Sequence, residues 1–118
     1  GSEMCIRDRD YIVLAGWMRI LSSKFIQAFP DKIINIHPSL LPRYKGLDSI
    51  QRALDNGDEV TGCTVHMVTE ELDSGKILMQ EEVGIFPHDT IESVTRAVHE
   101  AEHRIVPEVL RNLNIGSE

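Results

Sequence analysis

Two short runs constrain this chain more than any other feature. Tyr11-Ile12-Val13-Leu14-Ala15 and Lys32-Ile33-Ile34-Asn35-Ile36 are dominated by β-branched and aliphatic residues. Strands of that composition are buried on both faces, so the sheet needs a layer of structure above and below it. Helical segments between strands supply such layers, which points to an α/β sheet, parallel at first and mixed later. A chain that opens on a strand of this kind is unusual, because a central parallel strand has an earlier strand and a crossover helix beside it. Residues 1–9 (GSEMCIRDR) form a polar leader with no apolar stretch, so they are not a secretory signal. They read as a tag, a cloning scar or a misread segment. The expectation is a leader over 1–9 and a domain over 10–116 whose N-terminal half is missing.

Further along, Ser22 or Ser23 caps a short helix from Lys24 to Phe29 that Pro30 stops. The second strand ends at His37-Pro38, and the prolines and glycine from Pro38 to Gly46 predict a loop. Asp48 is expected to cap a helix reaching Leu54, closed by Asn56-Gly57. Glu59–Val68 and Lys76–Ile85 read as strands around a turn-rich segment, Glu70 to Gly75. Asp89-Thr90-Ile91-Glu92 fits a capping box. The helix after it repeats apolar residues at Ile91, Val94, Val98, Ala101 and Ile105, the spacing of one buried face. Pro107 is expected to bend or interrupt that helix. No repeat or linker divides the chain.

The 118 residues carry a formal charge of −7, with 42% hydrophobic and 26% charged residues, a globular composition. The acidic balance argues against nucleic-acid binding, which needs a positive footprint. No stretch approaches the ~20 apolar residues that span a bilayer, so no membrane role is expected. Cys5 and Cys63 are too few for a disulfide framework, which suggests a reducing, cytoplasmic setting.

In open α/β sheets, ligands bind beyond the carboxyl ends of the parallel strands. Gly16 to Leu21 and Asn35-Ile36-His37 occupy such ends. Residues two apart on a strand share a face, so Asn35 and His37 can meet in one crevice. There an amide N–H polarises a carbonyl while an imidazole exchanges a proton. The same spacing also fits an Asn paired with backbone beside a capped His. Among the acids of the 70–73 loop, Asp73 is a candidate to fold back on His37 and favour its imidazolium form, although a solvated acidic turn has the same composition. The glycines form no phosphate cradle. The five histidines make no zinc spacing, so no metal is expected. Asn-Ile-His-Pro-Ser is not a nucleophile elbow, which sets Ser39 aside.

Asn35-Ile36-His37-Pro38-Ser39-Leu40-Leu41-Pro42, Lys45-Gly46, Thr61-Gly62-Cys63-Thr64-Val65-His66 and Leu72-Asp73-Ser74-Gly75 closely resemble the folate-dependent formyltransferases. The resemblance covers about residues 10–113 in order. Trp17-Met18-Arg19-Ile20-Leu21 and Glu102-His103-Arg104-Ile105-Val106-Pro107 look most like the branch that formylates glycinamide ribonucleotide in purine biosynthesis. The fold it implies is a mixed, mainly parallel twisted sheet flanked by helices, truncated at its N-terminus. The implied reaction takes a formyl group from 10-formyltetrahydrofolate, a co-substrate, to the amine of glycinamide ribonucleotide. By this resemblance Asn35 would stabilise the oxyanion, His37 would act as general acid and base, and Asp73 would support His37 and position water or folate. Met18, Arg19, Ile20 and Leu21 would line the pterin pocket, and Thr69, Glu70, Glu71, Leu72 and Asp73 would form the folate loop with Asn35 beside it. His99, Glu100, Ala101 and Glu102 would approach the glycinamide end. The family's glycine-rich phosphate loop and an upstream basic residue have no counterpart here, so phosphate contacts are expected from residues outside this chain. Ile50-Gln51-Arg52-Ala53 also resembles methionyl-tRNA formyltransferase, and Tyr44-Lys45-Gly46 the formyltetrahydrofolate hydrolases. A non-catalytic folate-binding fragment is the reading of a different class.

Overall fold

The computed structural model describes residues 12–15, 28, 33–69 and 75–116. Its elements are β1 (Ile12–Ala15), β2 (Ile33–His37), α1 (Ser49–Asp55), β3 (Val60–Met67), β4 (Ile77–Gly84) and α2 (Ile91–Gly116). The four strands form one sheet in the order β1-β2-β3-β4. β1 pairs with β2 in parallel, Ile12 opposite Ile33, while β2–β3 and β3–β4 are antiparallel. The sheet is thus mixed, and among the described strands its parallel part is confined to the β1 side. Between β2 and β3 the chain runs through the loop after Pro38 and α1 before returning antiparallel. Of the helix expected over 24–29, Ala28 is helical and the other residues lie outside the described ones.

Period-two alternation gives the sheet two unlike faces. Ile34, Ile36, Cys63, Val65 and Val83 turn toward α2 and form the core with its Val94, Val98, Ala101, Ile105 and Val109. Every residue of β2 is buried, as its composition predicts. The intervening residues Asn35, His37, Thr64 and His66 stand on the other face, and Asn35 is paired with His66 and His37 with Thr64. Across the next ladder Thr64 faces Gln80. The polar face is partly covered by the chain itself, which returns over it after Pro38. Gly62 makes room for that return: a Cβ there would lie 2.1 Å from the Glu81 carbonyl and 2.7 Å from a methyl of Leu40.

Three local expectations are corrected. The box at the start of α2 is formed one residue later than Asp89 and Glu92 suggest. Ser93 N–H donates to Thr90 Oγ1 at 3.2 Å and Thr90 N–H to Ser93 Oγ at 2.8 Å. Asp89 instead accepts from the Phe86 N–H and the Ser93 hydroxyl, two bonds that hold its carboxyl below the usual range. Pro107 does not interrupt α2. Its ring lies on the exposed side, where the His103 carbonyl left without an N–H partner can turn to water. Ile91 is 37% exposed and does not join the apolar stripe.

Candidate active site

β2 delivers Asn35 and His37 to one end of the sheet, and both are buried, at 9% and 6% exposure. With Pro38, Gly46, Ser49 and Ile91 they line a cavity of about 180 Å³. That is below the ~300–1,000 Å³ of a pocket enclosing a drug-sized molecule, so it suits the reacting end of a ligand and not a whole one.

Neighbouring carbonyls fix both side chains. His66 Nδ1 lies 2.9 Å from the Met67 carbonyl. Since a carbonyl only accepts, Nδ1 carries the proton and Nε2 is the acceptor. Asn35 therefore turns its Nδ2 toward His66 Nε2, at 3.4 Å. Its Oδ1 is left buried without a hydrogen-bond partner among the described residues. A buried acceptor in that state calls for a donor from water or ligand. His37 Nε2 lies 2.8 Å from the Tyr44 carbonyl and 3.0 Å from Ser49 Oγ.

The loop between Pro38 and Asp48 is pinned at both ends. Thr64 Oγ1 donates to the Ser39 carbonyl at 2.6 Å and accepts from the Leu41 N–H at 3.1 Å and from Gln80 Nε2 at 3.0 Å. Gln80 Nε2 also donates to the Leu41 carbonyl at 2.8 Å. The Ser39 hydroxyl is fully buried and donates to the Arg43 carbonyl at 2.5 Å, a structural role in keeping with its exclusion as a nucleophile. The far end bends through left-handed residues, Tyr44 at φ 53°, Gly46 at 86° and Asp48 at 58°. For a bulky residue such as Tyr44 this conformation persists only when its surroundings impose it. They do so here. The Tyr44 hydroxyl donates to the Asp58 carboxylate at 2.6 Å, and the Arg52 guanidinium sits 5.3 Å from the ring centroid. Arg52 also donates to the Lys45 and Leu47 carbonyls. The Tyr44 and Asn56 side chains hold the Asp58 carboxyl below its usual range, and that carboxylate pushes the Tyr44 phenol up. Asp48, expected to cap α1, makes no side-chain cap because its left-handed backbone turns the side chain away from the helix N–H groups.

The remaining candidates are dispersed. Met18, Arg19, Ile20, Leu21, Glu70, Glu71, Leu72 and Asp73 lie outside the described residues. Thr69 is exposed just beyond β3. The ends of the 69–75 segment lie side by side, since Met67 N–H donates to the Lys76 carbonyl and a Cβ on Gly75 would fall 1.7 Å from the Met67 carbonyl. His99 and Glu100 line an open groove of about 580 Å³ with Glu92, Thr95, Arg96 and His103. Ile91 borders both this groove and the His37 cavity, so the two adjoin at the first turn of α2. Ala101 is fully buried in the core and offers no side chain to a ligand. Glu102 is half-buried, and desolvation pushes its carboxyl up despite His99 and His103. No group of metal-ligating side chains is found among the described residues. Ser49 and the Tyr44 carbonyl carry no signal in the sequence, and His66 enters there only as the end of the Thr61–His66 motif.

The formyl transferase family model matches residues 4–110, and the chain belongs to that family. A phosphoribosylglycinamide formyltransferase of Haemophilus influenzae is 54% identical over 102 residues, which are 86% of this chain and 48% of that protein. The crystal structure of phosphoribosylglycinamide formyltransferase from Anaplasma phagocytophilum superposes with a TM-score of 0.87 at 43% identity, over 91% of this chain and 51% of that one. A formyltetrahydrofolate deformylase from Pseudomonas syringae pv. tomato superposes with a TM-score of 0.82 at 36% identity, covering 88% of this chain and 35% of its own. The chain thus spans about half the length of the first two.

Proposed function

We propose that residues 10–116 are the catalytic, folate-facing part of an enzyme that moves a formyl group from 10-formyltetrahydrofolate to the primary amine of glycinamide ribonucleotide in purine biosynthesis. The observation that carries this reading is the buried Oδ1 of Asn35, without a partner among the described residues, beside His37 in one small cavity. An amine N–H is the donor such an acceptor lacks, and the amide N–H₂ of the same side chain can meet a carbonyl oxygen.

The amine nitrogen attacks the formyl carbon and the carbonyl oxygen becomes an oxyanion. Asn35 Nδ2 donates to it, a role whose loss typically costs on the order of 3 kcal/mol of barrier. His37 takes the proton released by the amine and returns one to the folate nitrogen as the bond from the formyl carbon to that nitrogen breaks. Asp73 favours the protonated ring and orders water or folate. As the family resemblance implies, Met18 to Leu21 and the 69–73 segment hold the pterin. His99, Glu100 and Glu102 approach the ribonucleotide along the groove that adjoins at Ile91. No metal takes part. The setting is cytoplasmic, with small molecules and not nucleic acid or membrane as partners. No described helix is long and apolar enough to cross a membrane.

The similarity to a deformylase favours one second reading, hydrolysis of the same formyl-folate with water in place of the amine. The test is an assay of a chain of the relatives' length containing these residues, given 10-formyltetrahydrofolate with and without glycinamide ribonucleotide. Formyl transfer that requires the amine supports the first reading. Formate release without it supports the second.

A further inference from the structure

Ser49 has no role in the reaction outlined above, yet it is 3% exposed and borders the His37 cavity. Its Oγ lies 3.0 Å from His37 Nε2 and 3.3 Å from the Gly46 carbonyl. Two arrangements are conceivable for the first contact, since a hydroxyl both donates and accepts. The Tyr44 carbonyl, 2.8 Å from the same Nε2, decides between them: it can only accept, so Nε2 carries the hydrogen. The Ser49 hydroxyl then donates to Gly46 and accepts from His37.

We propose that Ser49 is a positioning residue for His37, sharing the Nε2–H with the Tyr44 carbonyl so that the ring keeps one plane. The device is rigid on both sides. Arg52 bonds to the Lys45 and Leu47 carbonyls, and the Tyr44 ring is held by Asp58 and Arg52, so neither acceptor can drift. Among the described residues lining the cavity, Asp48 is the one acid. The two acceptors come from the loop after β2 and from the first residue of α1, so the chain that follows His37 also sets how its ring is held.

The proposal rests on the formyl-transfer reading of His37, and its test keeps the two apart. A chain of the relatives' length is made as Ser49→Ala, Ser49→Cys and Ser49→Thr, and ring ¹⁵N signals of His37 are recorded beside steady-state kinetics. Ser49→Ala and Ser49→Cys are expected to lower kcat about tenfold, the effect of one lost hydrogen bond, with both KM values nearly unchanged. Their Nε2 ¹⁵N signal shifts as one of its two acceptors is lost, while the tautomer held by the Tyr44 carbonyl stays the same. Ser49→Thr restores both readouts. Should Ser49→Ala fail to fold, the Cys variant, nearly equal in volume, carries the test. An unshifted Nε2 signal in the Ala or Cys variant overturns the proposal, as does a tenfold rise in KM at constant kcat, which would make Ser49 a substrate contact. Absence of formyl transfer by the wild-type chain overturns the functional reading alone, because the ¹⁵N comparison still decides what Ser49 does to the ring.

Discussion

The two faces of the sheet are built by the same strands and held by different forces. Toward α2, Ile34, Ile36, Cys63 and Val65 meet a helix whose apolar residues recur at regular spacing. On the other side the residues are fixed one bond at a time: His37 and Thr64 to carbonyls of the returning loop, His66 to the Met67 carbonyl and Asn35 to His66. The apolar face tolerates imprecise partners because dispersion and burial have no direction. The polar face does not, since a hydrogen bond lost by a few tenths of an ångström leaves a buried group unpaired. One face therefore supplies stability and the other orientation, at alternate positions of a single strand.

Substitutions on each side should separate these roles. The largest effect is expected on the polar face: Asn35→Ala or His37→Ala should lower kcat by about 10²-fold or more, while the unfolding midpoint moves little. Loss of stability in step with activity would erase the division. Next, Ile105→Ala on the α2 side should reduce unfolding free energy by about 2–5 kcal/mol, read from urea titration, with kcat per folded molecule unchanged. Thr64→Val tests the border between the faces. Its hydroxyl serves Ser39, Leu41 and Gln80, so the variant should lose about 1–3 kcal/mol from unpaired buried groups and also some turnover as the loop loosens. The smallest effect concerns Glu102. Burial raises its folded value above that of the unfolded chain, so ionisation opposes folding, and this penalty grows as pH rises above the ordinary carboxylate range. Glu102→Gln should raise the urea midpoint slightly at pH 7 and leave it unchanged at pH 4. If Glu102 also meets the ribonucleotide, the same variant should raise its KM.

The apolar face was almost wholly legible in the sequence, because its pattern is periodic: Val94, Val98, Ala101 and Ile105 announce one buried stripe. Ile91 shares the spacing yet is 37% exposed, standing between the His37 cavity and the adjoining groove, which periodicity alone does not show. The polar face was legible only where strand geometry speaks, in Asn35 and His37 two residues apart. What fixes them was hidden for a physical reason. Carbonyl acceptors such as Tyr44 and Met67 exist at every residue and leave no side-chain signature. A left-handed tyrosine is improbable on local preference alone and arises from contacts with Asp58 and Arg52. The helix start showed the same limit: Asp89 and Glu92 fit a capping box as well as Thr90 and Ser93 do, and only backbone placement chose the latter.

The pairing of β2 with β3 sets Asn35 opposite His66 and His37 opposite Thr64. A one-residue deletion within β3 would turn each of its side chains beyond the gap over to the other face. Valines would then confront the reacting groups, and a histidine would be pressed into the apolar layer. Losing a single codon there would thus damage folding and chemistry together, with no intermediate in which a stable but inactive protein survives. Variation in length is expected to gather instead at the turns, between Asn56 and Glu59 and between Ile85 and Thr90, where an added residue shifts neither face.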